Sequence, residues 1–156
     1  MQRRQFLAQS TLATAALLTP ASLLCTAPDN RPLGIALVGL GNYATNQLAP
    51  ALLQTKNCRL AGIVTGSPEK AAVWKAKYNI PDKNVYNYET FDRIRDNPDI
   101  DIVYVVLPNS MHAEYTIRAA RAGKHVICEK PMALNVRECE QMIAACAEAK
   151  VQLGIG

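Results

Sequence analysis

Short apolar runs alternate with helical periodicities along most of this chain. The run Gly-Ile-Ala-Leu-Val over 34–38 predicts a buried strand. A helical pattern follows over about 43–53, with Ala44, Leu48, Ala51 and Leu52 on its apolar stripe. A second run over 60–65 shows no polar alternation, as a strand covered on both faces requires. Ser67-Pro68 then opens a helix to about Tyr78, with Pro at the first helical position. Val85-Tyr86 reads as a brief third strand, 90–96 as a short helix, and 102–107 (Ile-Val-Tyr-Val-Val-Leu) as the most strand-like run of all. The next helix, over about 111–122, turns Ala113, Ile117 and Ala120 inward and stops at Gly123. Arg118, Arg121 and Lys124 fall on its outer side and read as a solvated face. A strand over 125–128, a helix to about 149 capped by Asn135 with Glu138, and a strand over 151–155 complete the pattern. Strand and helix alternate throughout, which predicts an α/β fold with a doubly wound parallel sheet over 33–156.

The first 27 residues follow another rule. Arg3 and Arg4 precede Phe6-Leu7 and an apolar Ala/Leu/Thr-rich stretch, with small residues near 25–27. This describes an export signal, and the arginine pair resembles the twin-arginine leader that carries folded proteins. The uncharged run is shorter than the roughly 20 residues a membrane span needs and is broken by Pro20, so cleavage is expected rather than anchoring. No stable span is expected afterwards, and a periplasmic or otherwise exported location follows. Residues 28–32 read as a polar linker.

Formal net charge is +4, and removing the leader's two arginines leaves +2, which makes no case for nucleic acid. Four of the five cysteines lie beyond the leader, none in a C-x-x-C pair, and histidine is scarce, so no metal site is legible. Cys139 and Cys146 lie seven apart on one helix, with Met142 and Ile143 on the same face, and core filling is the expected role.

The chemistry concentrates at strand ends. Gly39-x-Gly41-x-x-Ala44 follows the first strand and opens a helix. Gly39 suits the sharp turn, Gly41 lets a pyrophosphate approach the backbone, and Ala44 lets helix and sheet pack closely. The main-chain amides from Gly39 through Leu40, Gly41, Asn42 and Tyr43 would face the phosphates at the positive end of the helix. At the end of the second strand, where NAD-preferring sites place an acid, this chain has Thr65-Gly66-Ser67 and then Lys70. Hydroxyls, a helix N-terminus and an ammonium suit a 2′-phosphate, so NADP is expected in preference to NAD. Ser67 equally suits a helix cap. Leu107-Pro108-Asn109 ends the fourth strand at the ligand-binding edge, where Asn109 either bonds the cofactor or starts the next helix. His112, in that helix's first turn, is open to packing or to catalysis. Glu129-Lys130-Pro131 ends the fifth strand, where Lys130 either holds a sugar oxygen during hydride transfer or belongs to a surface turn.

Together, Gly39-x-Gly41-x-x-Ala44, Pro108-Asn109-x-x-His112, Ala122-Gly123-Lys124-His125-Val126 and Glu129-Lys130-Pro131 resemble the glucose–fructose oxidoreductase / inositol dehydrogenase / MocA family over about 33–156. Thr65-Gly66 with Lys70, Tyr86-x-Tyr88 and the twin-arginine leader extend the likeness to its glucose–fructose oxidoreductase branch, where serine matches Thr65. The resemblance implies that Gly39, Gly41, Thr65, Lys70 and Tyr88 touch NADP and that Lys130 lies at the nicotinamide and substrate. It implies a sugar or polyol substrate, a homo-oligomer at full length, and bound NADP recycled by oxidising one sugar to a lactone and reducing another to a polyol. Family members carry a second α+β domain on an open antiparallel sheet. It is expected to be missing from this chain, which is then the cofactor-binding half, without turnover alone. Two other readings are an exported NAD-dependent glycosidase of the same family and a non-enzymatic dinucleotide-binding module.

Overall fold

The computed structural model describes residues 31–156. The expected leader and positions 28–30 lie outside them. Six strands, β1 (Leu33–Val38), β2 (Cys58–Val64), β3 (Val85–Tyr86), β4 (Ile102–Val105), β5 (His125–Cys128) and β6 (Leu153–Ile155), form one sheet in the order β3-β2-β1-β4-β5-β6. Every pairing is parallel. Parallel neighbours need crossovers, and helices α1 (Ala44–Leu52), α2 (Pro68–Tyr78), α3 (His112–Arg121) and α4 (Val136–Glu148) supply most of them. The sheet is therefore covered on both faces. Ile35 and Leu37 of β1 enter one core layer with Ala44, Ala49 and Trp74, while Ala36 and Val38 enter the other with Tyr115, Ala119 and Met142.

Local differences from the sequence pattern have local causes. Helix α1 is π-helical over Ala44–Leu48 before its α-helical turn Ala49–Leu52, and the Ala49 amide donates to the Ala44 carbonyl. Pro50 has no N–H and its ring crowds the carbonyl four residues back, so the ladder widens just before it. The extra residue rotates the buried face, and Ala49 rather than Ala51 points inward. The helix expected over 90–96 is a 3-10 helix, Phe91–Asp96. Ladder β4 stops at Val105, two residues early, although the Val106 amide still donates to Val38 at 2.8 Å. The last strand begins at Leu153 rather than 151. On α4, Met142 and Cys146 are buried but Ile143 is 56% exposed, so it does not share their face. Asn135 caps that helix as expected, accepting from the Glu138 amide at 3.0 Å.

Two cations expected in solvent are held by the fold. Helix α3 ends in a Schellman turn: Gly123 has φ +73°, and the Lys124 amide donates to Ala119 at 3.1 Å. That reversal takes Lys124 off the helical periodicity and buries it, its ammonium donating to the Asn97 carbonyl at 2.8 Å. Arg118 is folded against Phe91 and Tyr115, each ring centroid 4.9 Å from the guanidinium carbon.

Arg31, within the expected linker, is also tied down. Its guanidinium donates to both Asp101 oxygens at 2.7 and 2.6 Å, and Asp101 accepts from the Gly34 amide at 2.7 Å. Burial works against the Asp101 carboxylate, but Arg31 and that amide outweigh it and hold its pKa below the usual value. A lowered carboxylate stabilises the fold above the unfolded pKa, near 3.9, and the contribution is lost as pH falls through the folded value. Asp101→Asn is expected to cost about 1–2 kcal/mol at neutral pH, discounted for partial exposure of the pair. Denaturant titrations between pH 7 and pH 3 check it: the variant should lose less stability below about pH 4 than the parent.

Candidate functional site

Strand order reverses between β1 and β4, and the crevice at their carboxyl ends is where ligands bind in such sheets. Gly39 leaves β1 with φ +96°, its amide donating to Val64 at 3.0 Å. A Cβ there would lie 2.6 Å from the Val106 carbonyl oxygen. Gly41 differs: a Cβ there would meet nothing within 4 Å, so the chain itself does not demand glycine. The Thr45 amide and hydroxyl close the first turn onto the Gly41 carbonyl at 2.9 and 2.8 Å. The amides before it are the helix's first-turn donors, which have no intrahelical acceptor and stand at its positive end. Asn42 and Tyr43 are exposed there, whereas the Leu40 side chain is buried and leaves only its backbone at the corner.

The second corner follows β2. Thr65 is buried, and its hydroxyl oxygen accepts from the Ser67 amide at 3.2 Å. Ser67 caps α2 by accepting from the Lys70 amide at 3.2 Å, and its hydroxyl donates to Glu69 at 2.8 Å. That hydroxyl holds the Glu69 carboxyl below its ordinary pKa. The strand end itself, Thr65-Gly66-Ser67, carries no acid. The cap geometry, not the strand, brings the Glu69 carboxylate back to this corner, which residue spacing does not show. The Lys70 ammonium reaches the Leu40 carbonyl at 3.5 Å, which links the two corners. Tyr88 stands beyond them, its ring so close to Gly66 that a Cβ there would lie 2.9 Å from Cε2.

On the other side of the crevice, Leu107 is buried and Asn109 is exposed at the start of a 3-10 turn, Asn109–Met111. His112 is enclosed, only 1% exposed. Its Nε2 lies 2.8 Å from the Leu107 carbonyl oxygen and its Nδ1 2.8 Å from that of Pro131. Both nitrogens are engaged within the fold, so the ring fastens the end of β4 to the Glu-Lys-Pro turn and presents nothing to a ligand. Glu129 accepts from the Tyr104 hydroxyl at 2.6 Å and from the Lys130 amide at 3.3 Å. Burial first, and then Glu129, push the Tyr104 phenol well above its ordinary pKa and keep it a donor. Tyr104 was silent in the sequence, since a strand tyrosine reads as packing. Lys130 is exposed, its side chain free to reach a ligand, and the Lys130–Pro131 peptide is cis. Behind the site, burial pushes the Cys128 thiol up to about 11, so it stays an inert core group. Among the described residues no group of three or more His, Cys, Asp or Glu could hold a metal, and no helix is long and apolar enough to cross a membrane.

A doubly wound parallel sheet, a glycine corner open to solvent at the switch point, and a capped second corner define a Rossmann domain of the NAD(P)-binding kind. Residues 33–156 match the GFO/IDH/MocA oxidoreductase family, NAD-binding Rossmann fold, and the chain belongs to that family. Its members are NAD(P)-dependent oxidoreductases acting on sugars and polyols. Among solved structures, the aldose–aldose oxidoreductase from Caulobacter crescentus complexed with glycerol is 56% identical, with TM-score 0.80 over 81% of this chain and 38% of that one. A 3-ketoreductase from Actinomadura kijaniata, in complex with TDP-benzene and NADP, is 28% identical with TM-score 0.71, over 80% of this chain and 38% of its own. The D-xylose 1-dehydrogenase [NADP(+)] of Haloarcula marismortui is 34% identical over 130 residues, 83% of this chain and 36% of that protein. The chain thus spans little more than a third of the length of these relatives.

Proposed function

We propose that this chain is the cofactor-binding half of an NADP-dependent sugar oxidoreductase. Gly41 is the observation that carries the reading: its missing side chain serves no neighbour in the fold, and it opens the corner where a diphosphate would meet main-chain amides. The residues present therefore fit a dinucleotide. Leu40, Gly41, Asn42 and Tyr43 would hold the diphosphate through backbone N–H groups, while Gly39, its own amide bonded to Val64, makes the turn that presents them. Thr65 and Lys70 would take the 2′-phosphate, joined by Ser67 once its hydroxyl turns from Glu69. When bound, NADP supplies the hydride acceptor or donor. Lys130 would hold the reacting sugar oxygen and stabilise the negative charge that develops on it. Tyr104 orients Glu129, whose carboxylate accepts from the Lys130 amide, and His112 fixes the same turn from behind.

The paired arginines of the leader support export of a folded protein, with NADP retained and recycled by a second sugar. The substrate domain, the choice of sugar and the homo-oligomer belong to the same proposal for the complete enzyme. A second reading, NAD in place of NADP, is favoured by Glu69, because a carboxylate at this corner repels a phosphate and suits a free ribose hydroxyl.

Calorimetry with NADP and NAD separates them. NADP is expected to bind at least about tenfold tighter, as one charge-assisted contact to phosphate provides. Lys70→Ala should remove about that tenfold for NADP and leave NAD within about twofold. Binding of neither nucleotide at millimolar concentration would overturn the enzymatic reading.

A further inference from the structure

Arg118 is held by two carboxylates and two aromatic rings, and from there it reaches the backbone of Tyr88. Its guanidinium donates to the Tyr88 carbonyl at 3.1 Å, to Asp92 at 3.0 and 3.2 Å, and to Glu114 at 3.2 Å. Phe91 and Tyr115 flank it, and the Tyr88 ring meets Tyr115 edge-on with centroids 5.5 Å apart. The turn carrying Tyr88 is closed from both ends: the Thr90 amide donates to the Asn87 side chain at 2.8 Å, and the Asn87 amide donates to the Thr90 hydroxyl at 3.0 Å. Tyr88 is thereby held from below by Arg118, from the side by Tyr115, and lies against Gly66 at the end of β2. That strand end is where the adenosine half of a dinucleotide lies in a doubly wound sheet.

Resting on the dinucleotide reading above, we propose that Arg118 is a positioning residue for the adenosine end of the cofactor, acting through Tyr88. An aromatic ring fixed before binding gives the adenosine a wall without the entropy cost of ordering a loop. Only a planar cation with several donors can lie between two rings and still reach the Tyr88 carbonyl and two carboxylates, so lysine is a poor substitute.

The test measures affinity of the full chain for NADP and for adenosine 2′,5′-bisphosphate, which lacks the nicotinamide. Arg118→Lys, assayed well below its unfolding midpoint, is expected to weaken both by about tenfold, the scale of lost preorganisation. Gly66→Ala displaces the Tyr88 ring from the other side and keeps Arg118, so it should weaken both likewise. Combined with Tyr88→Leu, Arg118→Lys should cost nothing more, because its route to the ligand is gone. Unchanged affinity in Arg118→Lys or in Gly66→Ala overturns the proposal, as does a full tenfold loss for Arg118→Lys in the Tyr88→Leu background. If the parent chain binds neither compound, the dinucleotide reading itself has failed and this proposal falls with it.

Discussion

Gly41→Ala is expected to abolish tight dinucleotide binding and leave the fold intact, whereas Gly39→Ala is expected to damage the fold itself. The two glycines stand two residues apart and obey different constraints. At Gly41 a new methyl meets open space, and the backbone avoids the left-handed region, so unfolding free energy should stay level or rise by about 0.4–1 kcal/mol. The same methyl would stand where the diphosphate must approach the amides. Losing two charge-assisted hydrogen bonds there corresponds to roughly a hundredfold or more in affinity. At Gly39 the backbone is left-handed at φ +96°, and a Cβ would press on the Val106 carbonyl at 2.6 Å. Strain and overpacking together should cost about 2–4 kcal/mol. Denaturant unfolding and NADP calorimetry on both variants read the two effects apart. Unchanged NADP affinity in Gly41→Ala would place the phosphates elsewhere.

The second large effect falls on His112. Leucine fills a similar volume but offers no N–H to either the Leu107 or the Pro131 carbonyl, each of which lies 2.8 Å from a ring nitrogen. A neutral imidazole has one N–H, so one carbonyl in or beside the core loses its donor, which should cost about 1–3 kcal/mol. His112→Asn, which can still donate to one of them, should recover part of that loss. Chemical denaturation measures both, and a Leu variant as stable as the parent would show that the ring only fills space. The same substitution frees the Lys130–Pro131 turn from β4. Any activity that depends on Lys130 should then fall further than cofactor affinity does.

Most of the architecture was legible because the central strands β1 and β4 are covered on both faces. Apolar runs such as 34–38 and 102–107 then have one reading, and the intervening helices follow from periodicity and caps. Ser67 and Asn135 cap their helices as the residue pattern indicates, since a cap is a local bond across three residues. Helix α1 was less legible because Pro50 changes the number of residues per turn, which apolar spacing does not reveal. Lys124 and Arg118 misled because helical phase describes a helix and not what lies against it. A Schellman reversal buried the first, and two aromatic rings covered the second.

By itself the sequence determined the parallel α/β fold, the glycine corner at the end of the first strand and the family of the chain. These depend on short-range order: hydrophobic period, turn stereochemistry and a few residues in fixed spacing. The tertiary structure alone decided that His112 is tied to two carbonyls, that Tyr104 holds Glu129, that Glu69 folds back onto Ser67, and that Arg118 braces Tyr88. Three of these four join residues far apart in sequence, and in Glu69 the partner is chosen by a helix cap. Hydrogen-bond partners of that sort are set by which strands become neighbours and how their ends align, and no local pattern carries that information.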